Sequence, residues 1–107
     1  MTEPIYNLDE NNDLFDTLYP PLTEGYTIYG KSNCPKCVVL KEQLSSLDIE
    51  VKYINCDEYL STDKEKFKKI MFKYMNLEYK ENGINLMYFP TVFYNGKFMT
   101  KYYNLFR

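Results

Sequence analysis

The sequence lacks histidine, tryptophan and alanine, and Arg107 is its single arginine. Because no imidazole is present, serine and cysteine hydrolases of the usual kind are excluded, as is any site that needs histidine as a base or metal ligand. No stretch approaches the roughly 18 apolar residues of a membrane helix, so we expect no membrane contact. Cysteine is also scarce, with three in the chain.

Length and charge indicate one ordinary globular domain. The chain has 107 residues, 45% of them hydrophobic, and a net charge of -2, which suits one core but not two. The acidic N-terminus has neither the basic nor the apolar region of a secretory signal, so we expect a cytoplasmic protein, and a monomer. Frequent Asn, Lys, Ile and Tyr are typical of an AT-rich genome, such as that of a large DNA virus or a protist.

The motif Cys34-Pro35-Lys36-Cys37 indicates a specific chemistry. A helix that begins at Pro35, a residue suited to the first helical position, turns both sulfurs toward its N-terminal end. Free N–H groups and the macrodipole there stabilise a thiolate at Cys34, and such thiols have pKa values of about 3.5 to 7.5 instead of about 8.5. Lys31 and Lys36 add positive charge. The motif therefore predicts thiol–disulfide exchange, with Cys34 as the attacking thiol and the more enclosed Cys37 as the resolving thiol.

Two other interpretations of the cysteine pair stay open. Half of a zinc site would need a second pair of ligands, and the chain offers only Cys56. Two structural cysteines would leave the intervening proline and the flanking strand and helix unexplained. Cys56, at the end of a predicted strand, is more typical of a buried, inert thiol than of a regulatory one. We expect no metal site and no tightly bound cofactor.

Charge divides the chain into an acidic N-terminal extension, residues 1–24, and a domain, residues 25–107. The extension holds six acids and no base, which leaves nine acids and thirteen bases for the domain. A short helix packed on the domain is the simplest interpretation, and a disordered or partner-binding acidic arm is the alternative. Apolar residues at helical spacing precede the helix-ending Pro20-Pro21: Leu14, Phe15, Leu18 and Tyr19.

The first part of the domain predicts a right-handed βαβ unit with parallel strands. Residues 26–30 are rich in β-forming types, and residues 50–55 alternate between polar and apolar. Between them, residues 38–47 carry leucines at steps of four and three, as in an amphipathic helix.

A second helix is predicted from Ser61 or Thr62, because Thr62 to Glu65 has the pattern of a capping box. Its apolar stripe is expected in the core: Phe67, Ile70, Met71, Tyr74 and Met75. Its lysines are expected to form a solvated face, and the alternative is a docking surface for an acidic partner: Lys64, Lys68, Lys69 and Lys73. Basic residues do not cluster with an aromatic recognition motif, so we expect no nucleic-acid binding.

The last part of the domain predicts a β-hairpin after a loop over residues 80–85. Residues 91–94 are strongly β-forming, Asn95-Gly96 is a type I′ turn signal, and residues 97–100 return as the partner strand. Residues 102–107 are expected to begin a final helix.

Three segments, residues 31–37, 89–93 and 95–98, together with the order of elements, resemble the glutaredoxin family of the thioredoxin fold. The resemblance covers residues 26–107. It implies an α/β, thioredoxin-like fold, a four-stranded mixed sheet flanked by helices, here with an acidic N-terminal extension and a shortened C-terminal helix. It also implies that Cys34 is the nucleophile and Cys37 the resolving thiol.

The resemblance further implies where substrates bind. Pro90 falls where the family has a cis proline facing the active site, which leaves the backbone of Phe89 free to pair with an extended substrate. Lys31 matches the position that holds a carboxylate of glutathione. Pro35 and Lys36 complete the expected substrate-binding residues.

Two departures from the family pattern concern glutathione and the C-terminus. Where glutaredoxins have two glycines and then an aspartate, this chain has Thr100-Lys101 followed by Tyr102-Tyr103-Asn104. The missing carboxylate removes a charge-assisted hydrogen bond worth about 1.5 to 3 kcal/mol, so we expect weakened glutathione binding. The final helix is also short, and we expect the N-terminal segment to cover the face left bare.

The sequence thus predicts a dithiol oxidoreductase that reduces protein or glutathione mixed disulfides, with disulfide-containing proteins as partners and glutathione as reductant. One alternative is a protein-selective, thioredoxin-like electron donor, for example to ribonucleotide reductase. A second is a redox-sensing interaction module with weak use of glutathione, and a third is iron–sulfur binding through Cys34.

Overall fold

The structure is a computed structural model that describes residues 14–100. Its elements are β1 (Tyr26–Gly30), α1 (Pro35–Ser45), β2 (Val51–Asn55), α2 (Asp57–Thr62), α3 (Lys64–Tyr74), β3 (Thr91–Tyr94) and β4 (Lys97–Phe98). The sheet is built around β1, which pairs in parallel with β2 on one side and antiparallel with β3 on the other. The strand order is β2-β1-β3-β4.

Two apolar clusters cover the two faces of the sheet. On one face, Leu40 and Leu44 of α1 pack against Ile28 and Val92. On the other, α2 and α3 bury a cluster that includes Tyr29 and Phe93. Since successive residues of a strand point to opposite faces, β1 supplies both clusters and is buried along its whole length. The thioredoxin-like arrangement expected from the sequence, a mixed sheet flanked by helices, is confirmed.

The helix predicted from Ser61 or Thr62 begins at Lys64, two or three residues later, and the short helix before it was missed. Thr62 is the last residue of α2, and Asp63 is the N-cap of α3, where its carboxylate accepts a hydrogen bond from the Lys66 N–H at 3.1 Å. The six-residue α2 buries only Tyr59, so its sequence shows no repeat of apolar residues at helical spacing. The predicted apolar stripe of α3 is confirmed, with Phe72 as a buried addition.

The hairpin forms where the sequence predicts it. Asn95 and Gly96 both have positive φ, 52° and 83°, as a type I′ turn requires. The return strand β4 is shorter than predicted, although the Met99 N–H still donates to the Val92 carbonyl at 2.8 Å.

Residues 14–24, which we call the N-terminal strap, pack on the face covered by α2 and α3. Phe15 and Leu18 are buried, as predicted for a segment that packs on the domain, whereas Tyr19 is exposed. That the strap covers a face left bare by a short final helix stays a prediction. The predicted helix is reduced to residues 14–16. Tyrosine hydroxyls hold the strap from the domain side: Tyr29 donates to the Tyr19 carbonyl and Tyr74 to the Leu18 carbonyl, both at 2.7 Å.

The rest of the acidic extension and the predicted final helix from Tyr102 lie outside the described residues. The division of the chain at residue 24 therefore stays a prediction. Within residues 14–100, no helix has the length and apolar character needed to cross a membrane.

The strap yields a stability prediction. Leu18 is 2% exposed, and truncation of a buried leucine costs about 2 to 5 kcal/mol. We therefore expect Leu18→Ala to lower the melting temperature by at least about 8 °C. Leu86→Ala makes the same chemical change at a side chain that is 66% exposed, and it should change the free energy of unfolding by no more than about 0.5 kcal/mol. Equal melting temperatures for the two variants would show that the strap does not stabilise the fold.

Candidate active site

The two cysteines of the motif meet at the N-terminal end of α1. Cys34 is the N-cap and Pro35 the first helical residue, as the sequence predicts. Cys34 and Cys37 form a disulfide, with Cα atoms 5.2 Å apart. The Cys37 N–H, in the first turn, donates both to the Cys34 carbonyl at 3.0 Å and to the Cys34 sulfur at 3.2 Å. The helix therefore directs a hydrogen-bond donor and the positive end of its dipole at this sulfur.

Both cysteines are buried, and they differ in their residual exposure. Cys34 is 8% exposed and Cys37 is 0% exposed. This order is what an attacking thiol and an enclosed resolving thiol require, since the first must reach a separate molecule and the second only its neighbour. The assignment of the two roles stays a prediction.

The loop before Cys34 is held by a carboxylate from another element. The Ser32 N–H donates to one oxygen of Asp57 at 2.9 Å, and the Ser32 hydroxyl donates to the other oxygen. Both bonds lower the pKa of Asp57, and the bond from the Ser32 hydroxyl contributes more than the bond from the Ser32 backbone N–H. The positive charge of Lys31 lowers this pKa further. Asn33 completes the loop with a positive φ of 57°, which asparagine adopts more readily than most residues.

Sequence reasoning missed Asp57. The signal that could have found it is the parallel pairing of β1 with β2, in which Gly30 is opposite Asn55. Ser32 and Asp57 each follow these paired positions by two residues, and the carboxyl ends of parallel strands meet at one edge of the sheet. Predicting the contact between Ser32 and Asp57 requires the register between β1 and β2. The alternation of polar and apolar residues within a single strand does not give that register.

The segment before β3 reaches the same edge. Thr91 is opposite Tyr29, so Phe89 and Pro90 emerge beside the loop that carries Cys34. The Phe89–Pro90 peptide bond is cis, as the family resemblance implies. Within residues 14–100, the Phe89 N–H and C=O form no hydrogen bond.

The remaining predicted binding residues, Lys31, Pro35 and Lys36, are all exposed. Lys31 is exposed, and its Nζ lies 5.6 Å from the centroid of the Phe89 ring. Pro35 and Lys36 are exposed on the first turn of α1, next to the cysteines. Thr100 is exposed. Residues 101–104, which carry the other departures from the family pattern, lie outside the described residues.

Cys56 is a buried thiol, as predicted. Burial, with a further contribution from the charge of Asp57, raises its pKa to about 12. It is therefore protonated at neutral pH and weakly reactive. In the described range 14–100, no group of three or more cysteine, aspartate or glutamate side chains is placed to hold a metal ion.

Comparison with known proteins agrees with this geometry. The family model described as Glutaredoxin matches residues 26–99, which run from the first residue of β1 to just beyond β4. No curated protein and no solved structure gives a significant match to the chain. The matched range contains the cysteine motif, Asp57 and the Phe89–Pro90 segment, and the N-terminal strap lies outside it.

The bonds between Ser32 and Asp57 predict a pH effect. The folded-state pKa of Asp57 is lowered, so its contribution to stability is present above the ordinary value of about 3.9 and is lost as the pH falls through the folded-state value. Ser32→Ala removes the largest cause of the shift. We expect the Asp57 pKa, measured by carboxyl-carbon NMR titration, to rise toward the ordinary value, and the loss of stability below about pH 4 to be smaller than in the wild type.

A matched control is Ser45→Ala, because the Ser45 hydroxyl donates to the Glu42 carbonyl within α1. This variant should leave the Asp57 titration unchanged. An Asp57 pKa that is the same in Ser32→Ala and the wild type would contradict the assigned cause.

Proposed function

The chain belongs to the glutaredoxin family of thiol–disulfide oxidoreductases, and we propose that it reduces disulfide-containing proteins, and less readily glutathione mixed disulfides, through Cys34 and Cys37. The observation that carries the proposal is the N–H of Cys37 donating to the Cys34 sulfur at 3.2 Å. A sulfur at this position is stabilised as a thiolate once the disulfide is reduced.

The reaction begins with the reduced protein. The Cys34 thiolate attacks one sulfur of the substrate disulfide, a new S–S bond forms, and the other substrate sulfur leaves as a thiolate that takes up a proton. Cys37 then loses its proton and attacks the Cys34 sulfur, which releases the second substrate thiol. The substrate gains two electrons, and the protein keeps the Cys34–Cys37 disulfide. Two thiols of glutathione, or a reductase of the thioredoxin reductase class, return the electrons.

The burial of Cys37 suits it to the second step, in which it attacks the Cys34 sulfur of the mixed disulfide. Its side chain is fully buried, so an external disulfide does not reach it. Its Cα lies 5.2 Å from that of Cys34, a separation typical of a disulfide. A mixed disulfide on Cys34 is therefore resolved from within the molecule.

Phe89 offers a place for the substrate backbone. Its N–H and C=O have no partner among residues 14–100, and the sheet register brings them beside the Cys34 loop. An extended polypeptide can pair with such an edge through main-chain hydrogen bonds, which hold its cysteine near the attacking sulfur.

Glutathione is proposed as a weak ligand. Lys31 is available for one of its carboxylates, but Thr100 and Lys101 stand where the family has glycines, and Asn104 and its neighbours supply no carboxylate for the ammonium group. These departures favour the second candidate, a protein-selective donor that takes electrons from a reductase of the thioredoxin reductase class. A cytoplasmic location, a monomeric state and a viral source stay predictions.

Serine variants test the roles of the two cysteines. Cys34→Ser should abolish reduction of a protein disulfide, because no thiolate remains to attack. Cys37→Ser should accumulate a mixed disulfide with the substrate, visible by non-reducing electrophoresis and mass spectrometry. Accumulation in Cys34→Ser, and not in Cys37→Ser, would reverse the assignment.

A glutathione mixed disulfide, assayed in parallel, should be reduced more slowly than the protein disulfide by the wild type.

Cys56→Ser is the control for these variants. Cys56 is buried with a raised pKa, so this change should leave both rates of reduction near those of the wild type. Reduction by Cys34→Ser at the wild-type rate would contradict the proposed function.

A further inference from the structure

The loop between β1 and α1, residues 31–33, is tied to one neighbouring segment at two points. At its start, the Cys56 N–H donates to the Gly30 carbonyl at 2.8 Å. Two residues later, both oxygens of Asp57 accept hydrogen bonds from Ser32, one from its N–H at 2.9 Å and one from its hydroxyl. In the part of the chain that the structure describes, Ser32 is the loop residue that hydrogen-bonds to another element. The Asp57 carboxylate is therefore the last attachment of the loop before the cysteine motif.

We propose that Asp57 is a positioning residue for thiol–disulfide exchange: its carboxylate holds the loop so that the Cys34 sulfur stays at the N-terminal end of α1. The inference rests on the proposed function, and it adds a residue from outside the cysteine motif to the groups that the reaction requires. Asp57 acts through Ser32 and the loop, so it influences the reactivity of Cys34 without taking part in the exchange itself.

The carboxylate is itself held in place. Asp57 is the first residue of α2, and its N–H donates to the side-chain oxygen of Asn55 at 2.9 Å. Asn55 ends β2, where it pairs with Gly30, the last residue of β1. The sheet thus sets the position of the Asp57 backbone. A side chain that is fixed at its base in this way can orient the loop that it binds.

The bonds between Ser32 and Asp57, which we call the loop clamp, and the helix hold Cys34 from opposite sides. On the helix side, the Cys34 carbonyl accepts hydrogen bonds from the N–H groups of Cys37 and Val38, at 3.0 and 3.2 Å. Because the carbonyl is fixed, the position of the Cys34 nitrogen determines the direction of the Cα–Cβ bond and hence of the sulfur. The loop clamp restrains that nitrogen, which keeps the sulfur 3.2 Å from the Cys37 nitrogen.

Asn33, which lies between the loop clamp and Cys34, shows that the loop is constrained. Its φ is 57°, in the left-handed region where a residue other than glycine persists when surrounding contacts hold it. Cys34 then returns to an extended conformation, with φ -125° and ψ 95°. Without the loop clamp, Asn33 can relax to commoner backbone conformations, which would move the Cys34 nitrogen and turn the sulfur away from the helix terminus.

Charge alone predicts the opposite effect of Asp57. A carboxylate near a thiol disfavours the thiolate, so its removal would lower the pKa of Cys34. A positioning role predicts that this pKa rises when the carboxylate is lost, because the thiolate then loses its donor and the helix dipole. The other charged groups around the loop stay the same in the variants below, so the sign of the change distinguishes the two roles. They are Lys31 of the loop, Lys36, Lys41 and Glu42 of α1, and Lys64 and Lys68 of α3.

The test compares two replacements of Asp57 in the reduced, full-length protein. The rate of alkylation at Cys34 is measured as a function of pH, with mass spectrometry to assign the modified residue. Asp57→Ala removes the charge and both acceptors, so we expect the pKa of Cys34 to rise and alkylation below that pKa to slow about three- to tenfold. Asp57→Asn removes the charge but keeps one side-chain oxygen as an acceptor. Its alkylation rate should return to that of the wild type or exceed it.

Ser32→Ala gives a second measurement, because it removes the hydroxyl bond and keeps the backbone bond. It should slow alkylation of Cys34 by less than Asp57→Ala does. In the Asp57→Ala background it should have no further effect, since both changes act through the same contact. Additive effects in the double variant would overturn the inference.

The matched control is Asp63→Ala, which removes a carboxylate from the neighbouring helix. Asp63 caps α3 by accepting a hydrogen bond from the Lys66 N–H at 3.1 Å. This variant should lower the melting temperature, as loss of a helix cap does, and leave the pH dependence of Cys34 alkylation unchanged. The same change of pH dependence in Asp63→Ala and Asp57→Ala would assign the effect to reduced stability and overturn the inference.

Failure of the inference is distinguishable from failure of the proposed function. A Cys34 pKa that is unchanged or lowered in Asp57→Ala, with a wild type that reduces a protein disulfide, would overturn the positioning role and leave the oxidoreductase function standing. Failure of the wild type to reduce a protein disulfide would overturn the proposed function, and the positioning role with it.

Discussion

The capping of α1 by the Cys34 sulfur is the interaction on which the candidate site depends. The N–H of Cys37, in the first turn of this helix, donates to the Cys34 carbonyl and also to the sulfur that is to carry negative charge. The position of that terminus is set by β1, whose last residue, Gly30, accepts a hydrogen bond from the Cys56 N–H at 2.8 Å. A Cβ at Gly30 would overlap the ring of Tyr53. The strand end, the loop and the helix start are thus fixed together.

Sequence reasoning predicted those parts of the fold that carry local signals. Pro35 after Cys34 marks the start of α1, Asn95-Gly96 marks the hairpin, and the stripe through Phe67 and Met71 marks the buried face of α3. The bond between Ser32 and Asp57 could not be predicted in this way, because it depends on the register of two strands that a helix separates. The helix α2 could not be predicted either, because it is too short to show apolar residues at helical spacing.

The N-terminal strap adds to the core from outside the part of the chain that the family model matches. The family match begins at residue 26, yet Phe15 and Leu18 are part of the core cluster under α2 and α3. The hydroxyls of Tyr29 and Tyr74 find partners in strap carbonyls, which satisfies polar groups that burial would otherwise leave unpaired. Burial also raises the pKa of Tyr29, so its hydroxyl remains a donor across the physiological range. Spacing predicted the strap's apolar contacts, but the hydroxyl bonds required the tertiary structure.

The most direct test of the account is the pKa of the Cys34 thiol in the reduced, full-length protein. It is measured from the pH dependence of alkylation at Cys34, quantified by mass spectrometry, with the buried Cys56 as an internal control that should stay unmodified near neutral pH. If the N-terminus of α1 stabilises the thiolate, the Cys34 pKa lies within about 3.5 to 7.5. A value at or above about 8.5, that of an ordinary cysteine, would contradict the account.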